Sequence, residues 1–222
     1  MTRVVGSLVG PVVVVLMLGA SGGGDDGAAE TRAERIVLRK RDLPTGWRAQ
    51  QDDEDDPSAQ FDPDDLSECE FVGPGDYSDL EPKGSAESPS FESGDEFQFA
   101  SGTAHVFGTT ADARDVFDAF AGGCLTELLA GSFEQAEPTD ESEVGDVDVE
   151  PLPAPDLGDE AEAGRVTTAI RFSEGGSLDL TFDSVMIRGG RAVAFLLTGA
   201  LGSQLPGAER DRVAERVARR MR

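Results

Sequence analysis

Val166-Thr167-Thr168-Ala169-Ile170-Arg171-Phe172, then Ser173-Glu174-Gly175-Gly176, then Ser177-Leu178-Asp179-Leu180-Thr181-Phe182: two alternating runs flank a glycine-rich break. A period of two places Val166, Thr168, Ile170 and Phe172 on one side of a strand and Leu178, Leu180 and Phe182 on the matching side of the next. The second run continues to Ile187, Gly189-Gly190 turns it back, and Val193, Phe195 and Leu197 resume the alternation. Three consecutive strands joined by short turns make an antiparallel meander, with one apolar face in need of cover. Two helices can supply it. Thr110 caps a segment in which Ala113, Val116, Phe117, Phe120, Cys124, Leu125, Leu128 and Leu129 recur at steps of three and four, with Gly122-Gly123 as a point of kinking or breakage. Near the C-terminus, residues 206–221 carry Val213, Val217 and Met221 on one stripe. The fold class is therefore α+β: an antiparallel sheet packed against helices as a two-layer to three-layer sandwich.

Working outward, residues 96–108 read as a β-hairpin, with Phe97 and Phe99 before a Ser101-Gly102 turn and Ala104, Val106 and Phe107 after it. His105, the only histidine, falls on this strand and reads as a residue of the sheet surface rather than a general base, because no orienting partner or nucleophile is evident. Residues 51–65 are almost wholly acidic or polar and read as a solvated loop; Asp62-Pro63-Asp64-Asp65 then opens a short helix to about Cys69. Residues 131–160 form a second acidic stretch with a short strand near 144–149. Upstream, Asp42-Leu43-Pro44-Thr45-Gly46-Trp47 ends any helix carrying Ile36, Val37 and Leu38. Trp47, the sole tryptophan, is a candidate ligand-binding aromatic, with burial in the core as the favoured alternative.

The N-terminus has the pattern of an export signal: Arg3, an apolar stretch from Val4 to Ala20, and a small-residue exit with cleavage between Ala20 and Ser21. Gly6, Ser7, Gly10 and Pro11 interrupt the stretch, which favours cleavage over retention as an anchor. The expected organisation is a signal at 1–20, a flexible tether at 21–30 and one domain at 31–222. The protein is thereby expected outside the cytoplasm, secreted or associated with the envelope. Cys69 and Cys124 are the only cysteines, and in an oxidising compartment an even pair reads as a disulfide. Closing that loop of 55 residues would stabilise the fold by up to about 4 kcal/mol in the chain-entropy model.

A formal charge of −25, from 44 acids against 19 Lys and Arg, excludes nucleic acid as a partner, since phosphate binding draws on basic side chains. The same charge discourages contact with anionic lipid by anything other than the N-terminal segment. With 38% hydrophobic residues and twelve Phe, the chain has the means to fold despite its charge. Two motif hits, G-x-S-x-G at 19–23 and G-x-G-x-x-G at 22–27, fall in the signal exit and tether and carry no chemistry there. Asp146-Val147-Asp148-Val149-Glu150 fails as a calcium loop because Pro151 replaces the glycine its turn requires. No cofactor, metal site or catalytic residue is expected.

Asp42-Leu43-Pro44-Thr45-Gly46-Trp47, the helix bearing Cys124, Gly158-Asp159-Glu160-Ala161, and the turn Val185-Met186-Ile187-Arg188-Gly189-Gly190-Arg191 together resemble actinobacterial exported lipoproteins and the PknH-type extracytoplasmic sensor domains of serine/threonine kinases. The resemblance spans about residues 33–221 and implies an α+β sandwich with a groove beside its sheet. The chain departs from it in having Ser21 where lipoproteins carry a lipid-bearing cysteine. The resulting expectation is a non-enzymatic domain that binds a small molecule, lipid or protein. A carboxylate-based hydrolase and an acidic structural or calcium-binding protein stand as alternatives.

Overall fold

The computed structural model describes residues 15–16, 26–50, 60–61, 81–93, 98–135, 139, 142–202 and 206–222. Apart from Val15–Leu16 (β1), which pairs in parallel with Gln60–Phe61 (β3), the expected signal and its Ala20/Ser21 cleavage site lie outside these residues. So do Cys69, the helix expected before it, and the acidic runs at 52–56 and 62–65.

The meander is present as read: Glu160–Phe172 (β9), Ser177–Gly189 (β10) and Ala192–Leu201 (β11) are antiparallel neighbours, with Phe182 opposite Val166 and Met186 opposite Phe195. Gly175 and Gly176 take the positive φ angles that the turn between β9 and β10 demands. Beyond β11 the sheet continues through Gln98–Val106 (β6), flanked by Gly84–Glu87 (β4) and Phe91–Ser93 (β5), and ends at Trp47–Ala49 (β2). On the other side of β9 lie Ser142–Val144 (β7) and Asp148–Leu152 (β8), completing nine antiparallel strands.

Residues 98–106 are one unbroken strand, which corrects the hairpin expected there. Gly102 does not turn the chain. It pairs with Leu196, where a methyl group would come within 2.9 Å of Phe195 O, and its backbone bonds in both directions to Ser88. Its glycine serves close approach.

Both faces of the sheet are covered, where the alternation had suggested one. Val185, Ile187, Ala194 and Leu196 face the helices Asp26–Ile36 (α1) and Gly207–Met221 (α4), while Phe182, Met186, Val193 and Phe195 face Thr110–Phe120 (α2) and Cys124–Glu134 (α3). The long expected helix is broken at residues 121–123, where Gly122 and Gly123 adopt φ of 82° and 99°. Its cap is Thr109, one residue before the expected Thr110, in a reciprocal pair with Asp112. Helix α1 begins at Asp26, so the expected tether is helical over its last five residues. Gly84 explains this: a methyl group there would overlap Glu30 N and Ala29 C, so the bare strand lets the small-residue face of α1 lie directly on β4.

The terminal helices are joined through buried ions. Arg220 of α4 donates to both carboxylate oxygens of Asp42 at 2.8 Å and to the carbonyls of Ile36 and Val37 at the end of α1. Arg216 bonds to the carbonyls of Arg41 and Asp42. Asp42 is only 4% exposed and also caps the 3-10 turn Lys40–Asp42 through Arg39 N. Removing one partner of such a pair strands a buried charge. Asp42→Ala is therefore expected to cost about 3–5 kcal/mol in denaturant unfolding, whereas Glu215→Ala, which breaks an exposed pair with Arg219, should cost less than about 1 kcal/mol.

Candidate functional site

A groove runs over the α2/α3 face of the sheet. Its floor is Ser101 and Thr103 of β6, Phe195 and Leu197 of β11, and Ser184 of β10; Leu125 and Leu129 of α3 form one wall, and Glu87 of β4 stands on the other side. Its cavity volume is about 30 Å³, and the rest of the groove is open to solvent.

The helix break creates this geometry. The axis bends by 48° between α2 and α3, directing α3 across β8 and β9. Glu162 of β9 fixes the bend: its carboxylate accepts hydrogen bonds from Gly122 N at 2.9 Å and Gly123 N at 2.8 Å, placing a negative charge at the N-terminus of α3. A smaller recess beneath the bend is lined by Phe120, Thr126, Glu162, Gly164 and Met186.

Polar groups on the floor follow from the β4–β6 register. Ser85 lies opposite His105, Glu87 opposite Thr103, and their side chains share the α2/α3 face. Thr103 is 6% exposed, and its Oγ1 has no hydrogen-bond partner. An unpaired buried hydroxyl costs on the order of 1–3 kcal/mol, so a ligand that satisfied it would recover that energy.

His105 is buried, which corrects its expected place at the sheet surface. Its ring lies 6.0 Å from that of Phe195 and 6.5 Å from that of Phe107, its Nδ1 is 2.9 Å from Ser85 Oγ, and its Nε2 is unpaired. This is not the arrangement of a serine–histidine pair in catalysis, where the ring nitrogen remote from the serine is held by an orienting acceptor. Here the remote nitrogen is Nε2, with no such acceptor.

Trp47 lies in the core cluster beneath α1 and α4 and does not line the groove. Cys124 is fully buried on the sheet-facing side of α3, and no free thiol occurs among the described residues. The buried carboxylates Asp42 and Asp183 are both bound to guanidinium groups; Arg165 donates to Asp183 at 2.6 and 2.8 Å, a bond that raises the arginine's pKa. Among the described residues no group of three or more His, Cys, Asp and Glu converges on a metal-sized site. Also among them, no single helix is long and apolar enough to cross a membrane; the α2–α3 pair passes only as a bent unit and its apolar face is core.

The sequence reading missed Ser101, Thr103, Ser184 and Glu87. Period-two alternation does assign Ser101, Thr103 and His105 to one face once β6 is read as a single strand, so the false turn hid the signal.

No family model matches the sequence. No curated protein matches it either. Among solved structures, the extracellular domain of PknH from Mycobacterium tuberculosis is similar over 86% of this chain and 96% of that one, with 14% identity and a TM-score of 0.45. No residue role and no ligand is carried over from it.

Burial holds the pKa of His105 at about 4, against an ordinary 6.5. The folded protein keeps the ring neutral where the unfolded chain takes up a proton. Its contribution is thus complete above pH 6.5 and is lost as pH falls toward 4, by about 3 kcal/mol in total. Urea unfolding of wild type and His105→Gln at several pH values should show a steeper loss for wild type across that window; parallel curves would refute the buried neutral ring.

Proposed function

We propose that this chain is an exported, non-enzymatic binding domain whose ligand occupies the groove between α3 and β4. One observation carries the reading: an apolar groove walled by Leu125 and Leu129 and floored by Phe195 and Leu197 lies over the buried, unpaired Oγ1 of Thr103. Apolar walls with a few placed polar atoms are the usual composition of a small-molecule site. The export signal in the sequence supports a location outside the cytoplasm, and membrane contact there would come through the N-terminal segment where it is retained. A Cys69–Cys124 disulfide would fix α3, and with it the groove wall.

The fitting ligand is an aliphatic chain with a hydrogen-bonding head. Glu87 at the rim, on a chain of charge −25, disfavours an anionic head. A hydrolase draws no support here, because the buried carboxylates Asp42 and Asp183 are each committed to a guanidinium group and neither lines the groove.

Titration calorimetry with decanol, decylamine and decanoate tests the proposal. Decanol and decylamine should bind more tightly than decanoate. Leu129→Trp, which fills the channel, should abolish binding, while Thr103→Val should weaken decanol about 3–10-fold, the worth of one hydrogen bond. Equal binding by wild type and Leu129→Trp would place the ligand elsewhere, and no binding by folded wild type would remove the proposal.

A further inference from the structure

The net charge conceals a segregation. Twelve of the 19 Lys and Arg fall within residues 32–48 and 210–222, against only four acids in those two stretches. The fold then brings the stretches together, since Arg32 bonds to Met221 O, Arg216 to Arg41 O, and Arg220 to Ile36 O. Arg35, Lys40 and Arg41 at the end of α1 and Arg212, Arg219 and Arg222 on α4 are all exposed around this junction. Among the described residues the exposed acids of the same region are Glu30, Glu34 and Glu215, with Asp211 partly exposed; Glu215 pairs with Arg219 and Asp211 with Arg210.

We propose that the α1/α4 layer is a docking surface for an anionic phospholipid membrane. Basic residues near such a surface each contribute attraction that fades within a Debye length, about 8 Å at physiological salt. The acids of α2 and of the β7–β8 edge lie beyond the sheet or across it and are largely screened at that range. Position along the chain favours a membrane over a soluble polyanion. Only residues 21–25 separate the apolar stretch 4–20 from α1, and five residues span at most about 18 Å. Where that stretch remains attached, it keeps α1, and the basic layer α1 forms with α4, within reach of the bilayer. A chain with serine at the lipid-bearing position then has a second, electrostatic contact with the membrane. This inference rests on the proposed export but not on the groove.

Vesicle co-sedimentation of the full chain tests it, with phosphatidylcholine alone and mixed with phosphatidylglycerol. Binding should require phosphatidylglycerol and fall with added salt. Arg35→Glu, Lys40→Glu, Arg41→Glu and Arg222→Glu combined should weaken it roughly tenfold or more, while the control Arg114→Glu with Arg171→Glu should not. The four target side chains are exposed, so the variant should melt like wild type; if it does not, the four glutamine replacements take its place with the same expected loss. Binding indifferent to headgroup charge would mean insertion through residues 4–20 alone and would overturn the proposal, as would equal losses in the control. Sedimentation velocity covers the remaining occupant, a second copy presenting acidic loops: loss of self-association with vesicle binding unchanged would also overturn it.

Discussion

The first and the last of the described helices are held to each other by one buried carboxylate. Asp42 accepts two hydrogen bonds from Arg220 and one from Arg39 N, so a single side chain terminates the 3-10 turn after α1 and fixes α4 against it. Arg220 uses its remaining donors on the carbonyls of Ile36 and Val37, which the end of α1 leaves without intrahelical partners. Desolvation makes such a pair a modest source of net stability. Its consequence is specificity: sliding either helix by one turn would bury an ion without its counter-ion.

A second carboxylate does the same for the sheet. Asp183 on β10 receives Arg165 from β9 and lies 3.6 Å from Arg210 of α4, so the first turn of α4 is fixed in register with the strands beneath it. Four residues of α4, Val213, Ala214, Val217 and Ala218, then pack into the apolar cluster between these two anchoring points. On the opposite face the contacts are aromatic: Phe99 and Phe133 lie on Phe182, and Phe120 and His105 lie on Phe195. Such contacts hold through area and shape.

Much of the architecture was legible because it is periodic. The β9–β11 meander, its glycine turns and the stripes of α2, α3 and α4 all follow from repeats of two or of three and four. What escaped depended on tertiary proximity. Gly102 reads locally as a turn, and only the backbone of β11 beside it reveals a glycine required by crowding. Gly84 gives no local sign that α1 will rest on it, so the start of that helix was assigned to the tether. His105 looks like a surface histidine until Phe107 and Phe195 close over its ring. The groove itself arises from the direction of α3. That direction comes from a carboxylate about forty residues away on β9, which no local pattern contains.

The division between an ionic layer and an aromatic one bears on where a binding site can exist. Guanidinium–carboxylate bonds are directional and tolerate little displacement, so a cavity beneath α4 would leave Asp42 or Asp183 short of its partners. Leu, Phe and Thr side chains on the other face lose only graded contact when neighbours part, and they can repack around an occupant at small cost. A channel with an unsatisfied hydroxyl is thus tolerable beside α3 and would be costly beside α4. The same separation leaves the outer face of the ionic layer free to carry charge, because its inner arginines are already neutralised and its outer ones point to solvent.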